Sequence, residues 1–183
     1  LHVKLVQNFD EMTNLSKGLR DKLKDKYELV ALKQIKCLES SIDGTCKFLF
    51  QLPDGNVIES VLMKYHHGNS VCISSQVGCR MGCRFCASTL GGLERNLSTS
   101  EMLDEIYQIQ RLSGERVSNV VVMGTGEPFD NYDNVMDFIR IINSPYSLAI
   151  GARHITVSTC GIPDKIRQYA QEGLQTNLAI SLH

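Results

Sequence analysis

No apolar run in this sequence reaches the ~20 residues that a membrane-spanning helix needs, and its start carries no signal-peptide pattern. Neither charge is in excess. A net charge of −1 means that no global polycation advertises nucleic acid, so any RNA contact must come from local patches. The Gly-Lys-Ser/Thr of a P-loop is missing, and the Gly124-Thr-Gly126 turn lacks the last glycine of a dinucleotide fingerprint because Phe129 stands there. Seven cysteines without a secretory signal argue against a disulfide framework and for metal or catalytic use in a reducing, cytoplasmic setting. With 43% hydrophobic and 21% charged residues, the 183-residue chain reads as a globular protein with room for one full domain and a small accessory one.

What the sequence does have is a loop of three thiols within eight residues, Cys79-Arg-Met-Gly-Cys83-Arg-Phe-Cys86. Core packing does not need three cysteines on a Gly-containing loop flanked by arginines. A structural zinc site wants four ligands, so it would have to recruit Cys72, His66 or His67. A redox dithiol would use Cys83 and Cys86 and leave Cys79 unexplained. Haem attachment would need a histidine where Ala87 stands. An iron–sulfur cubane held by three thiolates fits better, because it leaves one iron open to a small-molecule ligand. The spacing, with an aromatic residue before the last cysteine, resembles the cluster loop of radical S-adenosylmethionine (SAM) enzymes. In those enzymes the amino and carboxylate groups of SAM chelate the open iron.

Around this loop the chain divides into three stretches, 1–29, 30–68 and 69–183. Residues 9–27 read as a helix capped by Asp10 or Thr13, with Met12, Leu15, Leu19 and Leu23 at helical spacing. Its lysines and arginine are offset by Asp21, Asp25 and Glu28, as on a solvated face. Two Asp-Gly pairs, Asp43-Gly44 and Asp54-Gly55, separate β-prone runs near 30–38, 46–52 and 56–63, which predicts a three-stranded antiparallel meander. Cys37 and Cys46 lie in these strands and read as small buried hydrophobes. Alternation along the third run makes Glu59 a solvent-facing strand residue.

From residue 69 the pattern is β-loop-α, repeated. The β-prone runs at 71–76, 117–123, 153–159 and 176–182 alternate with helical stretches at 99–112, 131–142 and 162–172. Ser98, Thr99 or Ser100, with Glu101 close behind, suits a helix N-terminus. Parallel strands with crossover helices make the class α/β, and such folds put their sites at the carboxyl ends of strands. The unusual motifs fall there. They are the thiol loop, Gly124-Thr-Gly126-Glu127-Pro128, Ser158-Thr159-Cys160-Gly161 and Ser181-Leu182-His183. Glycines allow close backbone approach to a ligand, and hydroxyls at successive strand ends suit a polar cofactor such as a nucleoside.

Together with Cys72-Ile-Ser-Ser-Gln-Val-Gly-Cys79, these motifs come in the order seen in RlmN-type enzymes of the RlmN/Cfr family, and the resemblance runs from about Phe9 to His183. It implies a partial radical SAM (β/α) barrel preceded by a small helical and antiparallel accessory region. The implied activity is methylation of carbon-2 of adenine in 23S rRNA and tRNA, through a methyl-cysteine intermediate, with a reductant such as flavodoxin. Residue by residue, it implies that Cys79, Cys83 and Cys86 hold a 4Fe-4S cluster. Gly126 and Glu127 would hold the amino end of SAM, with Ser158, Ser181, Leu182 and His183 lining the rest. Glu59 would be a proton acceptor, against its solvent-facing reading, and Cys72 a thiol that resolves the protein–RNA adduct. Cys160 stands where many relatives have serine and is given no role. The chain stops directly after the apolar stretch 177–182, which reads as a fragment lacking the methyl-carrying cysteine and inactive by itself. Its final strand would be an exposed edge prone to association. The alternatives are a Cfr-type enzyme acting on carbon-8 and a zinc-stabilised RNA-binding module without catalysis.

Overall fold

The computed structural model describes residues 4–29 and 31–182; His183, from the implied SAM site, lies outside the described residues. The helix expected over 9–27 is broken in two. Asn8 accepts a hydrogen bond from the Glu11 N–H and starts a 3-10 turn at Phe9–Glu11. Ser16 accepts from the Leu19 N–H and starts α1 (Lys17–Lys24). Two side chains that compete for backbone donors each nucleate their own turn, which a continuous leucine period does not reveal. Asp10 and Thr13 therefore cap nothing. Asp10 instead pairs with Lys24, and its carbonyl accepts from Arg20. No residue of α1 is buried.

The meander forms as expected, from β1 (Lys33–Glu39), β2 (Cys46–Gln51) and β3 (Val57–Met63) in antiparallel pairing. The aspartates set its turns, with Asp43 accepting from the Thr45 N–H and Asp54 from the Asn56 N–H. Phe48, Phe50, Ile58 and Leu62 point into the core. Cys46 packs against that core, whereas Cys37 is exposed, so burial accounts for only one of the two.

β4 (Asn69–Ile73) pairs antiparallel with β3, so the meander continues directly into the α/β part. The run expected to reach residue 76 ends at Ile73. Beyond it, β5 (Gln76–Gly78) leaves the sheet and pairs with β6 (Leu93–Asn96), a hairpin the β-prone runs did not suggest. Then come α2 (Thr99–Ser113), β7 (Val117–Val122), α3 (Tyr132–Asn143), β8 (Ile155–Thr159), α4 (Pro163–Gln171) and β9 (Asn177–Ile180). The main sheet has seven strands in the order β1-β2-β3-β4-β7-β8-β9, with β4, β7, β8 and β9 parallel.

Ser98 and Glu101 close a reciprocal capping box at the start of α2. Met102, Ile106 and Ile109 of α2, with Val135, Phe138, Ile139 and Ile142 of α3, cover one face of the sheet and are fully buried or nearly so. Each such side chain contributes roughly 1.5–3 kcal/mol. The strand residues beneath them are Ile58, Leu62, Val71, Ile73, Val120, Val122, Ile155 and Val157. Strand alternation and register put a different set on the opposite face: Glu59 and Val61 of β3, Cys72, Val121, Thr156 and Ser158. Among the described residues no helix is long and apolar enough to cross a membrane.

Candidate functional site

The thiol loop hangs between β5 and a 3-10 turn at Ala87–Thr89. At its entrance the Cys79 N–H donates to the Gly92 carbonyl at 3.0 Å. A Cβ on Gly78 would lie 2.0 Å from that same carbonyl oxygen, so only glycine lets the hairpin close there. At its exit the Cys86 N–H donates to the Cys83 carbonyl at 3.0 Å, and Thr89 Oγ1 donates to the Cys86 carbonyl at 2.9 Å. Arg80 pairs with Asp130, which also accepts from Gln76 Nε2 at 3.1 Å. Burial alone would raise the Asp130 carboxyl, but these hydrogen bonds hold it below its ordinary value.

Gly124–Pro128 runs from the end of β7 and wraps around Gln76, whose Oε1 accepts from the Glu127 N–H at 2.8 Å. Gly126 sits at φ +107°, and a Cβ there would meet Gln76 Cβ at 2.5 Å. The glycine is required for both reasons. Glu127 is 3% exposed. Its Oε1 accepts from the Phe129 N–H at 2.9 Å and from Thr159 Oγ1 at 2.7 Å; its Oε2 accepts from the Cys160 N–H at 2.8 Å. Both oxygens are thus engaged in tying this turn to the end of β8.

Cys79, Cys83, Cys86, Gly126, Glu127, Ser158 and Ser181 all border one cavity of 120 Å³ at the carboxyl ends of the parallel strands. Ser158 and Ser181 have their hydroxyls 3.2 Å apart. Larger hollows of 490 and 370 Å³ lie beside Gln110 and Arg116 and beside Phe9 and Tyr27, but neither gathers a thiol. Cys79 is buried, and that burial raises its thiol above the ordinary value. Among the described residues no three Cys, His, Asp or Glu side chains are gathered for one metal ion. Three soft donors around one cavity nevertheless suit a cubane, whose irons bind thiolates individually. His66 and His67, the recruits that a zinc site would need, lie before β4, at its opposite end, where His67 stacks on Tyr65 and meets His66 edge to face.

Leu182 is 84% exposed and does not border the cavity. Glu59 and Cys72 do not border it either, but register puts them on one face of the sheet, with Val61 of β3 opposite Cys72. Glu59 forms an ion pair with Lys47 at 2.7 Å and is about half exposed. Burial, with the Glu105 carboxyl nearby, pushes the Cys72 thiol up to about 11, so it carries its proton at neutral pH.

Ser74 links these parts and escaped the sequence reading. Its Oγ donates to the Glu59 carbonyl at 2.7 Å and accepts from the Thr125 N–H at 3.0 Å, while its N–H donates to Glu105 at 3.0 Å. Asn131 does similar work, donating to the Ser75 and Leu97 carbonyls. The signal available in the sequence was the polar run Ser74-Ser75-Gln76 straight after an apolar strand.

A parallel α/β sheet with a three-thiol loop after its first parallel strand defines a radical SAM domain, here in part. The comparisons agree. A family model described as "Radical SAM superfamily" matches residues 73–183, and one described as "Ribosomal RNA large subunit methyltransferase N-terminal domain" matches residues 1–29. The chain belongs to the radical SAM superfamily. Along its whole length it is 70% identical to the "Probable dual-specificity RNA methyltransferase RlmN" of Lachnoclostridium phytofermentans. Proteins of the same name from Lachnospira eligens and Bacillus cereus are 63% and 58% identical. The chain spans 51%, 52% and 51% of these relatives, about half their length. A crystal structure of a radical SAM methyltransferase from Sphaerobacter thermophilus superposes on all of the chain with a TM-score of 0.92 and 41% identity, over 54% of its own length.

Proposed function

We propose that this chain is part of an RlmN-type radical SAM methyltransferase that methylates carbon-2 of adenine in 23S rRNA and tRNA. In this reading Cys79, Cys83 and Cys86 hold a 4Fe-4S cluster, and SAM occupies the cavity beside it. The observation that carries the reading is the convergence of those thiols, the Gly126–Glu127 turn and the Ser158 and Ser181 hydroxyls on one cavity. The shared name of the curated relatives supports RlmN-type over Cfr-type chemistry.

A cluster held by Cys79, Cys83 and Cys86 would supply the electron for reductive cleavage of SAM, the source of the radical chemistry that the methyl-cysteine route needs. The chain's own residues hold and orient. The glycine at 126 lets backbone come close to the methionine part of SAM, and Glu127 keeps that turn in place by anchoring it to β8. The strand-end hydroxyls of Ser158 and Ser181 would line the part of the site that takes the nucleoside. Glu59 is the proton acceptor and Cys72 the thiol that resolves the protein–RNA adduct, and register puts both on one face of the sheet. The reductant is a one-electron donor such as flavodoxin, and the setting is the reducing cytoplasm.

Anaerobic reconstitution with iron and sulfide, followed by electron paramagnetic resonance (EPR) of the reduced protein, tests the reading. A 4Fe-4S signal that changes on adding SAM is expected. Equimolar zinc without a cluster would overturn it in favour of a non-catalytic RNA-binding module. Mass mapping of the adenine modified by the full-length protein separates carbon-2 from carbon-8.

A further inference from the structure

The cavity at the strand ends is bordered by four thiols, not three, since Cys160 stands there beside Cys79, Cys83 and Cys86. Cys160 is the first residue after β8. Its N–H donates to Glu127 Oε2 at 2.8 Å, and the next N–H, of Gly161, donates to Thr159 Oγ1 at 3.0 Å, so its backbone is fixed at the cavity rim. Its side chain is exposed, so the usual explanation for an unpaired cysteine, that of a small buried hydrophobe, does not apply.

We propose that Cys160 is a fourth, displaceable thiolate ligand of the cluster, capping the iron that Cys79, Cys83 and Cys86 leave open until SAM replaces it. This rests on the cluster reading given above. Four thiolates are the ordinary ligand set of a 4Fe-4S cluster, and a soft thiolate suits iron–sulfur sites where a serine hydroxyl does not. The exchange is ligand substitution without electron transfer. The Cys160 thiol releases its proton to solvent as the S–Fe bond forms. It takes one back when that bond breaks and the amino and carboxylate groups of SAM bind. Two consequences follow. The cluster keeps all its irons when SAM is scarce, and SAM must compete with an internal ligand.

The test compares the wild-type chain with Cys160→Ser and Cys160→Ala after anaerobic reconstitution. Iron and sulfide are counted, and each protein is then mildly oxidised with ferricyanide, with and without SAM, and examined by EPR. An iron without a protein ligand is the first to leave. Both variants are therefore expected to lose one iron per cluster and show a strong 3Fe-4S signal without SAM, while the wild type keeps four. SAM should protect the variants, and its apparent affinity should be several-fold tighter for them than for the wild type. Equal iron loss and equal SAM affinity in all three proteins would overturn the fourth-ligand role and leave the cluster reading intact. Failure of every protein to form a cluster would overturn both.

Discussion

Thr159 donates its hydroxyl proton to Glu127 across 2.7 Å, and through that bond the end of β8 is tied to the turn that follows β7. Glu127→Ala leaves this hydroxyl and the N–H groups of Phe129 and Cys160 without their partner, and is expected to destabilise the fold by about 2–4 kcal/mol. Glu127→Gln keeps an acceptor and should lose about 1 kcal/mol. Urea unfolding measures both. Equal stability of the alanine variant and wild type would refute the anchoring role.

Gly126→Ala introduces a Cβ 2.5 Å from that of Gln76 at a backbone φ of +107°. A loss of about 2–4 kcal/mol is expected from strain and overpacking together. The same substitution at Gly91, where a Cβ meets nothing within 4 Å, should be almost neutral. The pair separates a local packing demand from a general intolerance of alanine in these loops.

Glu105 is wholly buried on α2, where its Oε2 accepts from Ser60 Oγ and the Ser74 N–H, while its Oε1 has no partner among the described residues. Burial raises its carboxyl well above the ordinary value. The folded state therefore holds a proton that the unfolded state gives up as pH rises past the normal carboxyl range, and stability falls with pH above that point. Glu105→Gln retains the acceptor without the titration. Its melting temperature should gain on the wild type steadily between pH 5 and pH 8, as read by thermal unfolding at several pH values. A constant offset across that range would contradict the proposal.

On the proposed cluster reading, replacing Cys79, Cys83 or Cys86 singly by serine should abolish most iron after reconstitution, because a hydroxyl is a poor ligand for iron–sulfur sites. Cys72→Ser should retain it, since Cys72 does not border the cavity. Iron analysis and visible absorption distinguish the two outcomes.

β9 pairs with β8 and forms one edge of the sheet, with Leu178 37% and Ile180 49% exposed. An unpaired apolar edge recruits other strands. Concentration-dependent association of this chain is expected in sedimentation, reduced by Ile180→Lys. A monomer at all concentrations would show that the edge is silent.

Much of this was legible in the sequence, for physical reasons that differ from element to element. The Asp-Gly turns, the helix cap among Ser98, Thr99 and Ser100, and the alternation of apolar strands with amphipathic helices are local signals. The structure forms the turns, a cap at Ser98 and the alternating elements there, with the first parallel strand ending three residues early. The N-terminal helix was misread because Asn8 and Ser16 act on single backbone donors, an effect that leucine spacing cannot register. The hairpin of β5 and β6 was missed because it spans the thiol loop and depends on the close pass of Gly78 by Gly92. The roles of Ser74 and Glu105 were out of reach for a different reason. Their partners lie 15 to 51 residues away in the chain, and only the assembled sheet brings them together.

Ser74 also sets the stiffness of the whole arrangement. Its single hydroxyl grips the Glu59 carbonyl on one side and the Thr125 amide on the other. A ligand that pushes the 124–128 turn outward therefore pulls on β3, two strands away. The 124–128 turn and the Glu59 backbone are the two ends of one short lever, with Ser74 as its pivot.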